Sequence, residues 1–141
     1  MKRIPWFETL LTLVVISISL YAALSDAQNL SLRWFTRDDA YYYFKVAQNI
    51  SEGHGSTFDG VNLANGYHPL WLLVNIPIFA LARFNLVLPL RILLLLMAAL
   101  HAASTVLLYR LVSRTLSQLA GSFIALFWAF SIYIHETVVQ Y

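Results

Sequence analysis

The sequence predicts an all-α, polytopic membrane protein with about four transmembrane helices and one amphipathic surface helix in its first loop. Two observations carry that prediction. Sixty per cent of the 141 residues are hydrophobic and only 11% are charged, which is more apolar surface than a water-soluble domain of this length can bury. Those residues are also gathered into long stretches, several near the roughly 20 residues that carry a helix across a bilayer. The net charge of +2 is spread along the chain, with no basic stripe to track a phosphate backbone, so nucleic acid is not an expected partner. The chain has no cysteine, which excludes disulfides, thiolate chemistry and cysteine-ligated metals.

Residues 1–141 read as a single membrane domain with spans at about 6–24, 69–84, 86–112 and 119–141 and a polar loop at 25–68. The first span follows Lys2 and Arg3. Its basic start, apolar run and Ala23-Leu24-Ser25 imitate a secretory signal with a cleavage site, but a retained transmembrane helix is the reading adopted. The second span is short, and Pro77 would kink it or free a backbone carbonyl. The third carries Arg91 near its start, and the fourth runs to Tyr141 with no stop signal or polar flank.

The loop contains its own helix. Thr36-Arg37-Asp38-Asp39 fits a capping box with Thr36 as N-cap, and Ala40, Phe44, Ala47 and Ile50 then recur at helical spacing. That pattern gives an amphipathic helix lying along the membrane surface. Gly53 and Gly55 end it, Asp59-Gly60 and Asn65-Gly66 are turn signals, and Pro69 suits the first turn of the next helix. Charge does not orient the chain. With four spans, Lys2, Arg3, Arg83 and Arg91 fall on one side and Arg33, Arg37, Lys45, Arg110 and Arg114 on the other, a near-even split for a rule that counts basic residues beside the spans.

Several side chains have the chemistry for a site. Asp38 and Asp39 are adjacent carboxylates beside a membrane, suited to a divalent metal or to general-base work; the plainer role is that acids in a first helical turn satisfy free N–H groups. Tyr41-Tyr42-Tyr43 follows, and Tyr42 is spaced to lie over Asp38 and orient its carboxylate, or to serve in an interfacial aromatic belt. His68, at the mouth of a span, suits a phosphate contact or a proton. Lys45, Arg33 and Arg37 suit an anionic headgroup or plain solvation. His101 falls midway along the third span and His135-Glu136 within the fourth, and ionisable groups at membrane depth are functional candidates.

Taken in order, Asp38-Asp39-Ala-Tyr-Tyr-Tyr, Lys45-Val-Ala-Gln-Asn, Gly53-His-Gly, Phe58-Asp-Gly and Asn65-Gly-Tyr-His-Pro-Leu-Trp resemble the amino-terminal part of GT-C-fold membrane glycosyltransferases. The closest group is the protein-mannosyltransferase-like family, with its aminoarabinose-transferring relatives. The resemblance covers about Trp6 to Trp71. It implies a polyprenyl-phosphate sugar as donor and an acceptor hydroxyl deprotonated by Asp38, with Asp39 assisting or the pair holding a metal. It also implies a cytoplasmic N-terminus and an outward-facing 25–68 loop, on the periplasmic, luminal or extracellular side. Arg37, Tyr42, Lys45 and His68 are then the substrate-binding candidates, the cations offsetting the leaving phosphate.

Members of that family have many more spans, so this chain is expected to lack much of a donor cavity, to need further transmembrane helices or subunits, and to be inactive alone. The rival expectation is a non-catalytic small transmembrane subunit of a larger respiratory or photosynthetic membrane complex, a degenerate relative of the family included. Ala98, Ala99, Ala102, Ala103 and Ser104 would then supply close helix contact.

Overall fold

The computed structural model describes residues 5–33, 38–82 and 85–133. Of these, 76% are helical and none belongs to a strand. The described helices are α1 (Trp6–Ala23), α2 (Ala27–Arg33), α3 (Asp38–Ser51), α4 (Pro69–Leu81), α5 (Leu88–Thr115) and α6 (Gln118–Phe130). The all-α class is as the sequence predicts. The helices divide into a three-helix bundle of α1, α5 and α6 and a compact cap built from α2, α3, the following loop and α4.

Within the bundle, α1 and α5 lie side by side and antiparallel. At one end Arg110 Nε donates to Glu8 Oε2 at 3.0 Å, and Phe7 packs on Tyr109 with ring centres 4.8 Å apart. At the other end Arg91 Nη2 donates to the Ser25 carbonyl at 3.2 Å. A positive group there also complements the C-terminal dipole of α1.

Ser117 opens α6, its Oγ accepting from the Ala120 N–H at 3.1 Å, as an N-cap should. The helix then runs back along α5 on a face of small residues: Gly121, Ala125 and Ala129 are all buried. A Cβ at Gly121 would stand 2.1 Å from Ser113 Oγ and 3.0 Å from both the Ser113 nitrogen and the Tyr109 carbonyl oxygen. Such spacing lets two backbones approach closely where apolar collapse supplies no force between helices.

The far end of α6 is held by polar contacts. His101 Nε2 lies 3.3 Å from the Ala129 carbonyl, and Trp128 Nε1 donates to Ser104 Oγ at 3.1 Å. Ser131 then leaves helical geometry. The sequence places the fourth span at 119–141; residues 134–141, including His135 and Glu136, lie outside the described set.

In the cap, α3 buries Ala40, Tyr43, Phe44, Val46 and Ala47 and leaves Asp39, Tyr41 and Lys45 exposed, so the predicted amphipathic helix is present with a wider apolar face. It starts at Asp38; Thr36 and Arg37 of the expected capping box lie outside the described residues. The short α2 was not expected. Asp26 starts it, with Oδ1 accepting from the Asn29 N–H at 2.9 Å.

The second apolar segment departs from the sequence reading. As a span, α4 would carry the chain to the far end of α1. Instead α4 packs chiefly on α3, with Phe79 against Phe44 at 5.6 Å between ring centres, and α5 begins beside the C-terminal end of α1, as the Arg91–Ser25 bond requires. The segment also holds an internal proline, Pro77, and the fully buried Asn75, which donates to the Trp71 carbonyl at 2.8 Å.

Among the described residues two helices, α1 and α5, are long and apolar enough to cross a membrane, and only 28% and 33% of their most apolar stretches are buried. Their outer faces expose Leu10, Leu13, Tyr21, Leu100, Leu107 and Leu111. Apolar exposure on that scale suits lipid as solvent and is unusual for a chain surrounded by water.

Candidate functional site

The loop after α3 is a folded element, and the residues that hold it are those of the sequence motifs. Asn49, 3% exposed, directs Nδ2 to the carbonyls of Thr57 (2.9 Å) and Phe58 (3.1 Å). Gly53 has φ +87° and Gly60 φ +84°, backbone states that side chains with a Cβ disfavour.

Asp59 closes the turn. Its Oδ1 accepts from the N–H groups of Val61 (2.9 Å) and Asn62 (2.7 Å), and Oδ2 accepts from Asn62 Nδ2 at 2.7 Å. Those donors, the Asn62 N–H foremost, hold the carboxyl at about 2, well below its ordinary 3.8. An isolated bridge pairs Thr57 with Leu63, and Ser56 Oγ meets the Tyr67 hydroxyl at 2.6 Å.

The three tyrosines of α3 face three ways. Tyr43 is buried; its hydroxyl accepts from the His68 N–H at 3.0 Å, and its ring stacks on the His68 ring at 6.4 Å and 8°. Tyr42 stacks on Phe58 at 5.3 Å and 15°. Tyr41 lies one turn from Lys45, and burial pushes its hydroxyl pKa upward.

Tyr41 and Lys45 also border a pocket of about 380 Å³, together with Phe44, Gln48, Phe58, Phe79, Leu86 and Leu90. Lys45 Nζ reaches Gln48 Oε1 at 3.4 Å. His68 borders a separate hollow of about 310 Å³ with Leu70, Trp71 and Met97. The structure therefore brings Tyr43 together with His68, and Lys45 together with Tyr41, but seats Lys45 and His68 in different cavities.

Of the acidic pair, Asp39 is exposed. Asp38 is the first residue of α3, and its side chain lies outside the described set, as does all of Arg37. Among the described residues no group of three or more His, Asp or Glu side chains is placed to hold a metal ion. From this chain a divalent ion would have the two neighbouring carboxylates, with water or substrate oxygens completing its shell, as Mg²⁺ tolerates. His101 is buried in the bundle interior against α6, remote in sequence and in fold from the acidic pair.

The sequence reading missed the pocket, and it named Asn49 only as the end of a motif, without its role in holding the loop. A signal for the first was present: Tyr41, Lys45 and Gln48 recur at i, i+4 and i+7, which places them on one face of the helix. Comparison with protein-family models, with curated proteins and with solved structures finds no match for this chain.

Proposed function

We propose that this chain is a GT-C-like membrane glycosyltransferase, or the amino-terminal part of one, with three crossings, α1, α5 and α6, and a cap at one membrane face. The second apolar segment, α4, belongs to that cap, its Leu70, Leu73 and Leu81 side exposed to the lipid interface. What supports the reading is the position of α3: it opens at the acidic pair and buries its apolar face on the cap core, at the membrane end where α1 stops and α5 starts. Regrouping the basic residues for three crossings still leaves four against five. The cytoplasmic N-terminus and outward cap therefore rest on the family resemblance.

In the proposed reaction Asp38 takes the proton of the acceptor hydroxyl as that oxygen attacks the anomeric carbon of a lipid-phosphate-linked sugar. The bond from the anomeric carbon to the phosphate oxygen breaks, and the lipid phosphate leaves with the electron pair. Cations or hydrogen-bond donors must offset the charge that develops on the phosphate; Arg37, next to the acidic pair in sequence, and His68, at the end of the loop, are the candidates this chain offers. Tyr43 fixes His68 through its backbone N–H and ring. Asp39 assists Asp38. Further helices must complete the enclosure that near-attack geometry requires.

The test compares membranes containing this chain, with its native companions, against membranes with Asp38→Asn. Removing a general base lowers the rate of sugar transfer from a polyprenyl-phosphate donor by about 10²–10⁴-fold. Unchanged transfer would return Asp38 to a capping role. A second reading, a non-catalytic membrane subunit, is favoured by one feature: Thr12, Ile16, Ala99, Ala103 and Leu107 line an open groove of about 460 Å³ between α1 and α5, shaped for another helix. Unchanged transfer together with a stoichiometric companion seated on Ala99 and Ala103 would favour it.

A further inference from the structure

We infer that the pocket beneath α3 is a binding site for an anionic membrane phospholipid, one acyl chain seated between α3, α4 and α5 and the phosphate paired with Lys45. The inference rests on the membrane placement of α1 and α5 and is independent of the transferase chemistry. The pocket's walls are the rings of Phe44, Phe58 and Phe79 and the side chains of Leu86 and Leu90. Polar groups stand only along α3, from Tyr41, Lys45 and Gln48, so the cavity has one apolar body and one polar edge. That division matches an amphiphile.

Charge selects the headgroup. Among the described residues that line the pocket Lys45 is the only charged one, and no described carboxylate lines it, so a phosphate meets attraction without a competing acid. Lys45 is exposed, and its contact with Gln48 is long at 3.4 Å, which leaves the ammonium able to turn toward an anion.

Depth agrees. Leu90 precedes Arg91, whose bond to Ser25 marks the level at which α1 ends, so the pocket opens where headgroups meet hydrocarbon. Bulk phospholipid is the better occupant than a sugar donor. A donor must bring its phosphate to the reacting groups, and of the candidates whose side chains are described neither Asp39 nor His68 borders this cavity.

The experiment reconstitutes the purified chain in nanodiscs of phosphatidylcholine with an equal share of phosphatidylglycerol, extracts it into mild detergent, and identifies retained lipid by native mass spectrometry. The wild type is expected to retain phosphatidylglycerol several-fold over phosphatidylcholine. Lys45→Gln, a change at an exposed position, should abolish that preference, Lys45→Arg should restore it, and Leu90→Trp should reduce retention of both lipids by filling the cavity. Equal retention of the two lipids by the wild type, or a preference that survives Lys45→Gln, overturns the assignment. Displacement of phosphatidylglycerol by stoichiometric polyprenyl phosphate also overturns it, since the site would then belong to the donor. If Leu90→Trp fails to fold, the Lys45 pair of variants decides the matter alone.

Discussion

Arg91 Nη2 and the Ser25 carbonyl lie 3.2 Å apart, which ties the first turn of α5 to the chain just beyond the C-terminus of α1. A chain with that bond has the loop after α3 and the turn before α5 at the same end of the bundle. Single cysteines at Ser56 and Asn85 should therefore react with a membrane-impermeant thiol reagent from the same side of sealed vesicles, and one at Thr115 only from the other. Opposite reactivity of Ser56 and Asn85 would restore α4 as a crossing helix.

The close approach of α5 and α6 depends on position 121. Adding even one methyl group there meets Ser113 Oγ and two backbone atoms, and backbone cannot move away cheaply. Gly121→Ala should destabilise the bundle by about 1–3 kcal/mol, the usual cost of overpacking, and Gly121→Leu should detach α6. Thermal unfolding in detergent reports both. Adding Ser113→Ala to Gly121→Ala should recover only part of the loss, because the contacts with the Ser113 nitrogen and the Tyr109 oxygen remain.

Asn49 is the link between α3 and the folded loop. Asn49→Leu keeps the volume but leaves the carbonyls of Thr57 and Phe58 without their donor, a cost of about 1–3 kcal/mol for buried groups. Amide exchange across 54–64 should accelerate while exchange in α5 and α6 stays unchanged. Slow exchange throughout that loop would mean that the Ser56 and Asp59 bonds hold it without Asn49.

Asp59 gives the loop a dependence on pH. Its folded-state pKa of about 2 lies below the ordinary 3.8, so the carboxylate's contribution is complete above roughly pH 4 and is lost as pH falls toward 2. Exchange of the Val61 and Asn62 amides should rise through that window. Asp59→Ala should show fast exchange at every pH, whereas a flat profile in the wild type would disconnect the carboxylate from the turn.

The sequence made the helices legible because their signals are local. Trp6 to Ala23 is a mostly apolar run with one charged residue, Glu8, α3 announces itself by Ala40, Phe44 and Ala47, and Pro69 marks a helix start by its own chemistry. Whether an apolar helix crosses a bilayer is not local. Pro69–Leu81 is apolar enough to suggest a span, and only the Arg91–Ser25 and Phe44–Phe79 contacts, between residues far apart in the chain, show where it lies. The candidate site divides the same way. Tyr43 and His68 were each visible as polar aromatic residues, but their stacking joins positions 25 residues apart. Asn49 resembles any polar residue near a helix end until the loop folds over it. The small residues read on α5 divide: Ala98 and Ala102 are buried, Ala102 in one cluster with Ala125 and Ala129 of α6, whereas Ala99 and Ala103 are exposed, and the matching small face of α6 was not read.

The buried Asn75 and the internal Pro77 of α4 carry a consequence for how the chain is made. A segment of mostly Leu, Ile, Val and Phe leaving the ribosome is a substrate for lateral release into the bilayer, and each polar or helix-breaking residue near its centre raises the free energy of that release. Asn75 and Pro77 stand at that centre. In the three-crossing arrangement they bias a single early decision during synthesis, and every later helix inherits its direction from it. Replacing both with leucine would therefore change little in the finished cap's shape on paper, yet invert α5 and α6 in the membrane before the cap ever had the chance to form.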